Sequence, residues 1–298
     1  PQARADSFSL EEAVASDSSE MYTNSDVTAP SISPKMSYPG SYGGWQSVNH
    51  RAVLWIFIQQ HFYLGSFIIG APMIAWLIEL FAFFYIRKNP EEHLTLDQIA
   101  CHVMRIAIPF YTFTIISGLL LVAGFAVLYP AFSQYMAGLF RPVLILYAVA
   151  FLLESLLFYG YAYKWRFGMP SREKTIHLGI GFLLCLNGIV IICLANALMS
   201  FMMSPKGIDS SGRFLGSLWA IVHTPFWNPL NVHRVMASMM FSGAVIAAYA
   251  AFRMLRSQPA ERAYFDRMGH VAITLAIVNL CLLPMAGYWF AKEIFIFR

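Results

Sequence analysis

From Ala52 to Ile86 the chain is apolar almost without a break, and its single formal charge there is Glu79 near the far end. About 20 apolar residues suffice to cross a bilayer core, so this run spans one with room for tilt. Five further runs follow. By hydropathy the six lie at about 53–86, 105–130, 141–163, 177–203, 231–253 and 268–292. Each is predicted to be helical, because lipid offers no water to an unpaired backbone group. No strand-like alternation competes, and no internal repeat is visible. The fold class that follows is all-α: a polytopic membrane bundle of six transmembrane helices.

Composition strengthens that reading. Of 298 residues, 58% are hydrophobic and only 12% charged, against roughly 25% charged in ordinary soluble domains. Residues 1–45 are a different material, rich in Ser, Pro and Gly, with six acidic residues against two basic ones. They are expected to form a disordered or loosely docked acidic tail, with residues 46–298 as the transmembrane domain. The tail lacks the basic-then-apolar pattern of a signal peptide. The chain opens on Pro1, not Met, which suggests a removed upstream segment. Four isolated cysteines, Cys101, Cys185, Cys193 and Cys281, give no Cys-x-x-Cys-His haem attachment and no zinc spacing. Nothing points to nucleic acid.

Charge in the loops sets the orientation. The loop after the first segment holds Arg87 and Lys88, and the loop after the third holds Lys164, Arg166, Arg172 and Lys174. The loop after the fifth holds Arg253, Arg256, Arg262 and Arg267. Those after the second and fourth are poorer in base. The positive-inside rule then places both termini outside, N-out/C-out, with the tail in the periplasm of a bacterial inner membrane.

With that orientation the histidines sort by depth. His61, in "QQHFYLG" well inside the first run, and His233, at the start of the fifth, lie toward the outer face. His50 and His223 flank that face. His102, His177 and His270 fall at the inner starts of the second, fourth and sixth segments, and His93 falls in an inner loop. Two opposed histidine layers suit one or two b-type haems, because neutral imidazoles supply axial ligands without burying net charge. Arg51, Arg141 and Arg234 outside, and Arg105 inside, could pair with haem propionates. The plainer alternative for the inner histidines is an ordinary interfacial residue. Glu154, in the middle of the third segment, is a candidate proton carrier or buried hydrogen-bond partner, since an intramembrane carboxylate is costly.

These residues resemble subunit I of cytochrome bd quinol oxidases. "QQHFYLGSFIIGAPMIAWLIELF" looks like that family's first helix, with His61 at the position of an active-site haem ligand. "RPVLILYAVAFLLESLLFYGY" is similar to the third helix, with Glu154 matching the second of two proton-path glutamates and Leu146 standing at the first. "LANALMSFMMSPKG" resembles the close of the fourth helix. "NPLNVHRVMASMMFSGA" resembles the start of the fifth, where His233 matches a low-spin haem ligand within one position and Arg234 is the strict match. The resemblance covers about residues 45–292, as a divergent, shortened relative. The family's quinol-binding loop and its later helices, which bear a methionine and a glutamate ligand, have no counterpart. His177 and His270 match no family ligand.

The expected function is a haem-b subunit of a respiratory complex. It would pass electrons between a quinone and a periplasmic c-type cytochrome, alongside other membrane subunits, and the chain alone would not oxidise quinol. The alternatives are a terminal quinol oxidase subunit whose ligands another chain completes, and a non-redox transporter or scaffold. The transporter reading lacks the broken helix pairs and inverted repeat that usually mark one.

Overall fold

The computed structural model describes residues 49–85, 88–206 and 217–296. The acidic tail, Arg87 and Arg213 fall outside the described residues. Among those described there are eight helices and no strand. They are α1 (His50–Tyr85), α2 (Pro90–Leu128), α3 (Pro130–Leu139), α4 (Arg141–Tyr163), α5 (Ser171–Met203), α6 (Leu218–Val222), α7 (Trp227–Arg256) and α8 (Pro259–Ile296). The six long ones, α1, α2, α4, α5, α7 and α8, are each long and apolar enough to cross a membrane, as the hydrophobic runs require.

The helices outrun their apolar segments. α2 begins at Pro90, not near residue 105, because its start signals are polar. The Asn89 side chain accepts the Glu92 amide at 3.2 Å, Pro90 pre-sets the first turn, and Glu91 and Glu92 sit at the positive end of the helix dipole. α5 and α8 likewise start several residues early, at Ser171 and Pro259. This corrects the depth of three histidines. His93 is not in a loop: it lies buried in the opening turns of α2, with Nδ1 2.9 Å from the Ala82 carbonyl of α1. His102 and His177 stand inside their helices, not at the ends. The short helices α3 and α6 carry no hydropathy signal of their own. They pack at one end of α4 and α5 around Tyr135, Phe140, Phe201 and Ile221.

α1 is the most enclosed of the six. It packs along α2, α7 and α5, while α7 and α8 form a second close pair and α4 reaches the bundle chiefly through α5. Small residues permit the approach of α1 to α7. A Cβ on Gly70 would collide with the Ser238 carbonyl, and the Ser242 hydroxyl donates to the Ser66 and Phe67 carbonyls at 3.3 and 3.2 Å. In lipid, where burial of apolar surface drives nothing, such close backbone contact and interhelical hydrogen bonding hold helices together. The outer faces of α4 and α8 are lined with exposed large apolar residues, among them Leu146, Leu152, Leu156, Met285 and Tyr288, as a lipid-facing surface should be.

Candidate functional site

His61 projects from α1 toward α2. Its Nδ1 lies 3.1 Å from the Ser117 hydroxyl, whose own proton is directed to the Thr114 carbonyl at 3.0 Å. The imidazole therefore donates through Nδ1 and keeps its lone pair on Nε2, the tautomer that an axial metal ligand needs. α2 runs so close here that a Cβ on Gly118 would come within 2.9 Å of His61 Cε1. Glycine at 118 thus gives the ring its space.

The rotation of α7 sends His233 and Arg234 to different sides of the bundle. Adjacent helical residues point about 100° apart. Arg234 turns toward α1, with its guanidinium 4.8 Å from the centroid of Phe62, the neighbour of His61. Its Nη1 donates to Asn196 Oδ1 at 2.6 Å and to Met199 Sδ at 3.4 Å, and the Asn196 amide donates to Asn231 Oδ1 at 2.7 Å. Both of these bonds use Nη1, and no bond from its other N–H groups is seen among the described residues. His233 faces α8 instead. A Cβ on Gly287 would sit 3.8 Å from its Nδ1, which is buried and has no hydrogen-bond partner among the described residues. The structure thus brings Arg234, not His233, to the His61 side of the bundle. Arg141 is exposed at the first residue of α4.

Glu154 is buried and accepts from the Asn187 amide at 2.6 Å, which also donates to the Ala150 carbonyl at 3.0 Å. Leu146, two turns away on the same helix, is 55% exposed.

The histidines expected at the inner face do not assemble into a layer of facing ligands among the described residues. His177 Nδ1 lies 2.6 Å from Glu79 Oε1, and its Nε2 donates to the Tyr161 carbonyl at 2.9 Å. No lone pair is left on this ring for iron. It belongs to a buried polar network in which Lys174 bridges Glu79 (2.7 Å) and Asp97. In the same network the Tyr161 hydroxyl donates to Glu79 Oε2 at 2.5 Å and the Trp165 indole to Asp97 at 3.2 Å. Glu79, Asp97, Lys174 and Tyr161 are each no more than 1% exposed. Two carboxylates face one ammonium and one imidazole, so the cluster is closed upon itself, as buried charge must be. His102 is likewise engaged, by Tyr249 and Tyr264. His270 lies exposed on α8, with Nδ1 2.9 Å from the Asp266 carbonyl of its own helix. The structure brings His177 and His270 to no common site, and Arg105 lines a separate cavity beside His102.

The sequence places Lys174 among the loop cations and singles out neither Asp97 nor Asn187, while Asn196 and Asn231 enter only within the stretches that resemble the family. The available signal was weak but real: two asparagines inside the apolar run of α5, and a carboxylate, Glu79, with no stated partner inside α1.

A family model described as cytochrome bd terminal oxidase subunit I matches residues 50–296. The solved structure of bd oxidase from Geobacillus thermodenitrificans shares the fold, with a TM-score of 0.71 at 18% sequence identity. The match covers 82% of this chain and 55% of that one, so the chain spans about half the length of its solved relative. No curated protein matches. The helical bundle and the family match over nearly all of the described residues agree: the chain belongs to the cytochrome bd terminal oxidase subunit I family.

Proposed function

We propose that this chain carries the outer haem-binding site of a membrane quinol oxidase of the bd type in a bacterial inner membrane, with further ligands and subunits supplied from outside these 298 residues. The observation that carries the reading is His61: an imidazole locked at Nδ1 by Ser117, on a chain whose family is that of bd oxidase subunit I. Family membership favours the quinol oxidase alternative over transfer to a c-type cytochrome, which nothing in the comparisons supports.

A b-type haem held there supplies reversible one-electron chemistry between quinol and oxygen. The residues of this chain do the rest. His61 ligates through Nε2, and Gly118 leaves room beside the ring. Arg234 is held in place by Asn196 and offers its free fork to a propionate, with Arg141 as a further cation at the outer end of α4. Glu154, held by Asn187, stores a proton at Oε1 or Oε2 inside the membrane. His233 faces α8, and its Nδ1 has no hydrogen-bond partner among the described residues.

The test is oxygen uptake with a reduced quinol, measured on the complex purified from its native membranes through a tag on this chain. Steady, cyanide-resistant turnover is expected, while the chain purified alone stays inactive. A complex that oxidises quinol only when a c-type cytochrome is added as acceptor overturns the reading.

The orientation is part of the proposal. Both ends of the bundle lie outside, so a reporter active only in the cytoplasm should be silent when fused after Arg298 and active when inserted in the 164–170 loop between α4 and α5. The reverse pattern would invert the bundle and the depth of His61 with it.

A further inference from the structure

Near the corner where α7 ends and α8 begins, a cavity of about 460 Å³ opens between α2, α7 and α8, far in sequence from the His61 site. Its lining includes His102, Arg105, Tyr249, Tyr264 and Phe167. The hydrogen bonds around it form one chain. Arg253 donates to the Tyr249 oxygen at 3.2 Å, and that hydroxyl lies 3.1 Å from His102 Nε2. His102 Nδ1 in turn lies 3.2 Å from the Tyr264 hydroxyl. With the imidazole proton on Nδ1, Tyr264 accepts from His102 and its own O–H is left to donate into the cavity that it lines. Arg105 adds a guanidinium to the same lining.

Among the described residues, no carboxylate lines the cavity. The nearest on α2, Asp97, is committed to Lys174 and Trp165. The Arg253 guanidinium is spent on aromatic faces, 4.8 Å from the Phe265 centroid and 6.0 Å from that of Tyr249. A recess with an unbalanced cation, a polarised hydroxyl and no counter-charge calls for an anion, and a guanidinium fork suits the oxygens of a phosphate. Its depth is informative. Tyr249 and Tyr264 each stand about two turns from the α7–α8 corner, roughly 10 Å along a helix, where tyrosines meet lipid headgroups.

We propose that this cavity binds a phosphate group, that of an anionic phospholipid headgroup, through Arg105 and the Tyr264 hydroxyl. His102 acts as a positioning residue that orients Tyr264 and does not touch the phosphate. The site is independent of the oxidase reading and stands or falls without it.

The experiment is native mass spectrometry of the purified full chain with phosphatidylglycerol, alone and against millimolar inorganic phosphate. Wild-type protein should retain phosphatidylglycerol. Arg105→Gln and Tyr264→Phe should each retain it at least tenfold less, while Arg105→Lys, which keeps the charge, stays within about threefold of wild type. Retention that inorganic phosphate cannot displace identifies the lipid, and displacement identifies a soluble phosphate; either supports the phosphate site. If one variant does not fold, the other decides. Retention in both variants equal to wild type overturns the proposal, as does preferential capture of a neutral quinone that Arg105→Gln leaves unchanged.

Discussion

Lys174→Met should cost the fold about 3–5 kcal/mol, the usual penalty for removing one partner of a fully buried ion pair. Methionine reproduces the lysine stem out to its ε-carbon, so the packing of that stem survives. What is lost is the single ammonium between Glu79 and Asp97, two carboxylates that are otherwise held apart only by neutral donors and His177. Both are essentially inaccessible, and neither can turn to water. At roughly 2–4 °C per kcal/mol for a chain of this size, the apparent melting temperature in detergent should fall by about 6–20 °C. Adding Asp97→Asn should recover a substantial part of the loss, because it removes the unpaired charge that the single variant strands. Melting of the single variant within 1 °C of wild type, an interval of about half a kcal/mol or less, would mean that the network does not tie α1, α2 and α5 together. The same residues explain why α4 needs so few direct contacts with α1: Tyr161 reaches across to Glu79 with one short hydrogen bond.

His61→Ala should remove one haem equivalent per chain, read as pyridine haemochrome on the purified protein, and should leave the fold extractable. The asymmetry between the two effects follows from burial. His61 is only partly buried, and its hydrogen bond to Ser117 is worth about 1 kcal/mol to the fold. Its loss is small for packing and total for ligation. Ser117→Ala should keep the haem but weaken it by about 10–100-fold, the usual cost of losing the group that fixes a ligand's tautomer. Full haem retention with an unchanged spectrum in His61→Ala would place the ligand elsewhere on the chain.

The hydrophobic pattern alone determined the number of long helices, their order and the identity of the first-helix histidine. These are local properties: a run of apolar residues must be helical in lipid whatever it packs against, and a histidine inside such a run stands out whatever faces it. Helix starts were less legible, because Asn89, Pro90 and the acids after them signal a cap that hydropathy averages away. What the sequence could not decide was which polar groups meet. His61 and Ser117 are 56 residues apart, Asp97 and Lys174 are 77 apart, and Glu79 and His177 are 98 apart. No spacing rule links them. The sequence makes His177 a candidate haem ligand or an interfacial residue at a helix end, and only the packing of α5 against α1 spends both its nitrogens. His233 and Arg234 are neighbours in sequence and equally placed by it. A rotation of about 100° per residue sends one to α8 and the other to α1, and that rotation is set by how Ser238, Ser242 and Gly70 let α7 settle against α1.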